Sequence, residues 1–318
     1  MCSYRWFAIV LAATAACTYA AEYPSRPIRL VVPFTAGSAS DLLARLIGPK
    51  LAESWGQQVV IDNRPSAGGT VAGGIVAASA PDGHTLMITS SAFAGAAALY
   101  DKLPYDSVKD FAGITMIAVT NLVLVTAPNG PKTVKEFIAL AQQKPGQINY
   151  GSSGIGSGTH YGGELFKLAA KINIVHVPYR GVPEALTDTM SGRIHSAMSP
   201  VLIATPLIRS GRIVALGVTS TQRLPALPEV PTIAEAALPG FVYDGWFGAL
   251  APARTPRVII DRLSKEIGRI IMLPENQERV SREGSAARVS TPEQFEKLVR
   301  EEIVMRSKVF KAAGSKPE

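Results

Sequence analysis

The chain has 318 residues, 47% of them apolar and only 18% charged, which is room for two domains with buried cores and too apolar for global disorder. The formal net charge is +7, but the Lys and Arg residues are scattered, with no basic run and no interleaved aromatics, which argues against a nucleic-acid partner. A mild basic excess suits a protein that collects anions.

Residues 1–21 read as an export signal, with Arg5 as the positive n-region, residues 6–17 as the apolar core and Thr18-Tyr19-Ala20 as a small-residue cleavage site. The apolar run is too short to span a bilayer, and no later stretch is long and apolar enough. Both cysteines, Cys2 and Cys17, fall inside this segment, so the mature chain is expected to have no disulfide and no cysteine metal site. Ala15-Ala16-Cys17 resembles a lipoprotein cleavage box with Thr14 where Leu is usual, which disfavours lipid anchoring at Cys17.

The first strand-loop-helix unit comes next. Ile28–Val32 is an unbroken β-branched and aliphatic run, residues 33–40 form a short loop, and Leu42, Leu43, Leu46, Ile47 and Leu51 recur at helical spacing from near Ala39. Ser38 is placed to cap that helix, with Asp41 three residues on to answer it as in a capping box. The intervening Thr35, Ala36, Gly37 and Ser38 are free to turn backbone N–H groups towards an oxyanion at the helix N-terminus. Residues 58–62 make a second strand before Asn63-Arg64-Pro65 and a small-residue helix running to about Ser79. Pro81-Asp82-Gly83 is a turn, and residues 85–89 a strand that delivers Ser90 and Ser91 into another loop. In a parallel sheet such loops gather along one edge, round one crevice.

Residues 114–126 are a longer apolar run, followed by the capping box Thr133–Glu136. A chain crossing into a second domain is placed there, and the return crossing in residues 243–251, giving domains of 22–125 with 246–318, and 126–245. The second domain reads as a strand at 147–150, the loop 151–158 (GSSGIGSG) and a helix from about Thr159. A strand at 172–177 follows, then the loop 178–181 and a helix from Pro183 to Met190. A strand at 194–198 has Ser199 and Pro200 at its carboxyl end, and a last one covers 213–219. Two helices close the chain, one starting at Thr255-Pro256, read as an N-cap followed by proline at N1, and one starting at Thr291-Pro292.

The chemistry these residues exclude is as informative. Gly154-Ile155-Gly156-Ser157-Gly158 misses the dinucleotide fingerprint in glycine spacing, and no acid occurs between Glu164 and Glu184 to hold a ribose. Gly151-Ser152-Ser153-Gly154 is not a nucleophile elbow. His84, His160, His176 and His195 lack metal-ligand spacing, so no metal and no cofactor is expected; His160, opening the helix behind the serine loop, is placed to hold that loop in shape. A general acid or base needs a tuned ionisable group within reach, and only Asp41 and Arg180 present themselves, one better read as a cap and the other as a rim charge. The loops therefore look made to bind an anion rather than to react with it.

Several motifs carry a resemblance: Tyr23-Pro24-Ser25-Arg26-Pro27-Ile28, Val32-Pro33-Phe34 leading to Gly37 and Asp41, Asn63-Arg64-Pro65 with Gly68-Gly69, and Ala80-Pro81-Asp82-Gly83. Leu103-Pro104-Tyr105-Asp106, residues 149–154 (NYGSSG), His176-Val177-Pro178-Tyr179, residues 227–232 (LPEVPT) and Leu250-Ala251-Pro252-Ala253 add to it. With these the chain resembles the Bug, or TctC-like, family of periplasmic solute-binding proteins that serve tripartite tricarboxylate transporters. The resemblance implies an α/β two-domain clamshell of the type II periplasmic-binding kind, each domain a mostly parallel sheet flanked by helices, with crossing hinge strands. It implies a monomeric periplasmic receptor, not an enzyme, for a di- or tricarboxylate or an aromatic acid, handing its ligand to membrane transporter subunits. The expected ligand-binding residues are Phe34, Thr35, Ala36, Gly37, Ser38, Asp41, Ser90, Ser91, Ser152, Ser153, Gly154, Thr159, Tyr179 and Ser199. Two departures stand out: Thr35-Ala36-Gly37-Ser38 replaces a proline-glycine-glycine loop, and Ser199 stands where the family commonly has an aspartate that receives a ligand ammonium or hydroxyl. The alternative reading is an exported hydrolase acting on a carboxylate-bearing substrate.

Overall fold

A computed structural model describes residues 23–282 and 285–315, so the export segment, both cysteines and the question of lipid anchoring lie outside the described residues. The elements, in order, are β1 (Ile28–Val32), α1 (Ala39–Trp55), β2 (Val59–Asn63), α2 (Thr70–Ala77), β3 (Thr85–Ser90), α3 (Ala92–Leu99), β4 (Phe111–Thr126) and α4 (Val134–Gln143). They continue as β5 (Asn149–Ser152), α5 (Gly158–Ala170), β6 (Val175–Pro178), α6 (Val182–Met190), β7 (Ser196–Pro200), α7 (Val201–Arg209), β8 (Val214–Val218) and α8 (Ile233–Ala236). The chain ends with β9 (Asp244–Pro252), α9 (Arg257–Ile271), α10 (Pro274–Arg282), β10 (Ser285–Ala287) and α11 (Pro292–Ala313).

The strands run in the order β2-β1-β3-β9-β4-β7-β5-β6, with β8 and β10 also pairing β4. Two parallel sets, β2-β1-β3 and β7-β5-β6, are joined by the antiparallel pair β9 and β4. β4 is the shared strand. It pairs β9 up to Asn121 opposite Asp244, and from Leu122 to Thr126 it pairs β7 along one edge and, from Val123, β8 along the other. Thr219 ties the crossing together: its Oγ1 accepts the Leu122 N–H at 2.9 Å and donates to the Tyr243 carbonyl at 2.7 Å.

Each half of the sheet is covered on both faces, which is why its strands are apolar on both sides of the pleat. In the first half Ile28, Leu30, Val32, Leu86 and Ile88 pack under α1 and α9, while Val31 and Met87 point the other way, to Phe93, Trp246 and Phe295. In the second half Leu122, Leu124 and Met198 face α4 and α5, and Val123, Val125 and Ala197 face α6 and α7. α11 belongs to both: Phe295 and Val299 lie in the first half's core and Phe310 in the second's.

Helices α3, α7 and α10 were not legible in the sequence. α3 (AFAGAAAL) is apolar almost all round because it is buried, so it has no polar face to give a period. Three expected caps are corrected. Thr255 does not cap α9; its hydroxyl donates to the Pro252 carbonyl at 2.8 Å and Pro256 takes the N-cap position. At Thr133 and at Ser38 the hydroxyl does accept the N–H three residues on, but the acid there does not return to the cap: Glu136 takes the Lys132 N–H and Asp41 the Gly37 N–H, each one residue earlier.

Candidate ligand-binding cleft

Five helix N-termini, those of α1, α3, α5, α6 and α7, converge on a cleft where β4 and β9 cross between the halves of the sheet. In each helix the first N–H groups have no intrahelical partner, so the cleft is walled by donors and by positive dipole ends.

The α1 seat is built by Asp41. Its carboxylate, 1% exposed, receives the Gly37 N–H at 2.9 Å, Arg45 Nε at 2.9 Å and Asn63 Nδ2 at 3.1 Å. Burial opposes its ionisation, but the hydrogen bonds from Arg45, Gly37 and Asn63 outweigh it and hold the carboxyl below the ordinary aspartate value. Asn63 also donates to the Phe34 carbonyl at 3.0 Å, which accounts for the Asn at the end of β2. Asp41 is thus spent on shaping the loop, and Phe34, Ser38, Ala39 and Ser40 are what reach the cleft. Ser40 Oγ is buried without a partner among the described residues.

The α5 seat is a knot of hydroxyls. Ser157 caps the helix by accepting the His160 N–H at 3.0 Å, and Thr159 Oγ1 accepts the Ser153 N–H at 2.9 Å while contacting Ser153 Oγ at 3.0 Å and Ser157 Oγ at 2.9 Å. Behind it His160 Nδ1 accepts the Gly156 N–H at 3.1 Å, and Ser152 bonds His176 Nε2, whose ring stacks on His160 at 4.0 Å. Burial, then the His176 charge and Lys167, depress His160 to about 2, and burial followed by Lys167 depresses His176 to about 3, so both rings are neutral struts. This is the shape-holding role expected of His160.

The third wall comes from the crossing strands and from Ser90 and Ser91: Thr120, Leu122, Tyr243, Gly245, Trp246 and Phe247, with Val182 and Pro200 opposite. Trp246 Nε1 is a second buried donor without a partner among the described residues. The two halves touch beside the cleft, where Thr35 Oγ1 lies 3.4 Å from the Glu184 carboxylate and Gly95 packs directly on the Gly156 carbonyl. Of the side chains lining the cleft, only the Tyr243 phenol is titratable.

Of the expected residues, Phe34, Ser38, Ser90, Ser91, Ser153 and Thr159 line this cleft. Thr35, Ala36, Gly37 and Asp41 form the loop behind it, and Ser152 and Gly154 turn their polar atoms to each other and to His176. Tyr179 points its hydroxyl to Asp188 at 2.9 Å. Ser199 is fully buried on β7 with its hydroxyl on the Pro200 carbonyl at 3.0 Å, so at this edge the ring of Pro200, not the serine, meets the cleft. Sequence reasoning missed Ala39, Ser40, Gly158 and Val182, all within two residues of an N-cap and findable by counting from it. It also missed Thr120, Leu122, Tyr243, Gly245, Trp246, Phe247 and Pro200, whose place depends on how distant strands cross.

Residues 43–314 match the tripartite tricarboxylate transporter family receptor pattern, TctC. Protein BugT of Bordetella pertussis is 33% identical over 97% of this chain and 95% of its own length. Among solved structures, R. palustris Rpa4515 with adipate superposes with a TM-score of 0.88 at 36% identity, covering 92% of this chain and 99% of that one. MatC (Rpa3494) from Rhodopseudomonas palustris with bound malate gives 0.85 at 32% identity, covering 90% and 99%. The two-domain α/β frame is shared with these binding proteins and the receptor pattern spans most of the described residues, so the chain belongs to the TctC, or Bug, family of solute-binding receptors.

Proposed function

We propose that this protein is a monomeric periplasmic receptor that captures a small dicarboxylate and delivers it to the membrane subunits of a tripartite tricarboxylate transporter. Residues 1–21 direct export and are removed. The two lobes, 22–125 with 246–318 and 126–245, turn about the crossing of β4 and β9 and close on the ligand. The observation that carries this reading is the cleft itself: five helix N-termini and a set of hydroxyls, with two buried donors left over and no fixed charge among the lining side chains. Such a wall holds carboxylates by dipoles and hydrogen bonds alone. The relatives solved with adipate and malate support the ligand class.

The same wall sets a selectivity. An ammonium drawn into a dry cleft needs an anionic partner, and no carboxylate lines this one. The preference for acids without an amino group therefore rests on the whole lining and not on Ser199. One charge-assisted hydrogen bond is worth roughly 1.5–3 kcal/mol, so a matched diacid should outbind its amino analogue about ten- to a hundredfold. Calorimetric titration with adipate, malate, succinate, citrate, terephthalate, aspartate and glutamate tests this, and native mass spectrometry of the purified protein looks for a retained acid. Tightest binding by aspartate or glutamate overturns the selectivity; turnover of any of them overturns the receptor.

A further inference from the structure

One layer behind the cleft lies a cation that the capture reading has not used. Arg306, on α11, is fully buried; its Nε donates to the Glu302 carboxylate at 2.8 Å and its Nη2 to the Tyr243 phenol oxygen at 3.2 Å, while Nη1 has no partner among the described residues. The guanidinium lies 4.3 Å from the centre of the Tyr161 ring, on α5, which holds it in place. Tyr243 Oη is in turn 3.1 Å from Ser91 Oγ. Both hydroxyls would lie 2.7 Å from a Cβ placed on Gly158, so they stand against the first residue of α5 at the cleft wall.

The direction of this chain is not free. A guanidinium donates and cannot accept, so the Tyr243 oxygen must accept from Arg306. The single phenol proton then goes to Ser91 or to the ligand, and in the first case the Ser91 proton is what remains for the ligand. Either way the wall offers O–H donors there.

We propose that Arg306 is a positioning residue for ligand capture: it fixes the polarity of the Arg306–Tyr243–Ser91 chain so that this side of the cleft presents hydroxyl protons to a ligand carboxylate and rejects a group that must itself donate. The proposal rests on the carboxylate reading above and deepens it.

A thermodynamic cycle tests it, with succinate, glutarate and adipate as probes. Arg306→Met is made together with Glu302→Gln, so that no buried carboxylate is left unpaired, and the pair is made in wild-type and Tyr243→Phe backgrounds. In the wild-type background the diacid that binds best should weaken about tenfold, the scale of one charge-assisted hydrogen bond. In the Tyr243→Phe background, where the chain is already cut, the same change should cost less than about twofold. Equal losses in both backgrounds mean that Arg306 only supports the fold, and overturn the proposal. Should the Arg306 variant not fold, Tyr243→Phe decides: it should discriminate the diacid from its neutral diamide about tenfold less sharply than wild type, and unchanged discrimination overturns the proposal. Wild-type protein that binds none of the three diacids overturns the carboxylate reading and this one with it, which is distinct from binding that survives the cycle unchanged.

Discussion

Trp246 keeps its indole N–H without a partner among the described residues although it is only 2% exposed, and its ring is pinned edge-on to Phe295 at 5.0 Å. A buried donor left unmade costs about 1–3 kcal/mol, and because Trp246 lines the cleft, an acceptor brought there by a bound diacid would recover that cost. Trp246→Phe should therefore raise the melting temperature of the free protein while weakening diacid binding several-fold. Thermal melts and titrations of one preparation read both signs, and a variant that loses stability and keeps its affinity contradicts the assignment. The His160–His176 pair makes a prediction about pH. Both rings are depressed in the folded protein, to about 2 and about 3, and face Glu164 and Lys167 on α5, Tyr150 on β5 and Phe310 on α11. Below the ordinary histidine value of about 6.5 the unfolded chain takes up protons that the native rings refuse. Their contribution is thus complete above that pH and is lost as pH falls towards the depressed values, at about 1.4 kcal/mol per pH unit for each ring. Denaturant midpoints should be level between about pH 7 and 8 and fall steeply from about 6 to 4; replacing both rings by Gln should flatten that slope.

At the scale of elements, the seam between α3 and the loop before α5 is where the lobes meet backbone to backbone. A Cβ on Gly95 would lie 1.7 Å from the Gly156 carbonyl oxygen, a contact no side-chain motion relieves, and Gly156 itself has φ of 77°, which only glycine adopts readily. Gly95→Ala leaves the interior of α3 otherwise unchanged and is mildly favourable to a helix. The variant should melt near wild type but bind diacids at least about tenfold more weakly, because closure then meets a steric stop. Wild-type affinity in a folded variant would make the seam a packing detail. α11 acts across the same gap. Phe295 and Val299 anchor its first half to one lobe and Phe310 its second half to the other, stacked on His160 at 5.0 Å.

For the whole molecule, the arrangement places one strand, β4, in both lobes and returns the chain through β9 beside it, with Thr219 stitching the two crossings together. A pair of short antiparallel crossings bends more readily than either packed half, so the lobes are expected to move as bodies about residues 121–122 and 243–244. Small-angle scattering should give a smaller radius of gyration with a bound diacid than without. An unchanged value, with binding shown by calorimetry on the same sample, would assign capture to a cleft already closed. The described residues contain no helix long and apolar enough to cross a membrane.

What the sequence determined by itself was local. The hydroxyl caps at Ser38 and Thr133 act over three residues, and the strand runs at 28–32 and 85–89 are apolar wherever the chain goes, so hydroxyl-rich loops opening helices could be read as a candidate anion seat before any fold was known. Motif agreement along the chain carried the family and its clamshell. Tertiary structure alone decided which residues line the cleft. Ser199 looked ligand-facing, but its side chain lies inside β7 and Pro200 meets the cleft, a difference of one residue in a pleat whose side chains alternate. Tyr243 and Ser91 are 152 positions apart and Tyr243 and Arg306 are 63 apart; no periodicity or spacing joins them, because their meeting depends on where β9 leaves the second lobe and how α11 crosses back over both. Pairings of that kind are made by packing, and only the folded chain contains them.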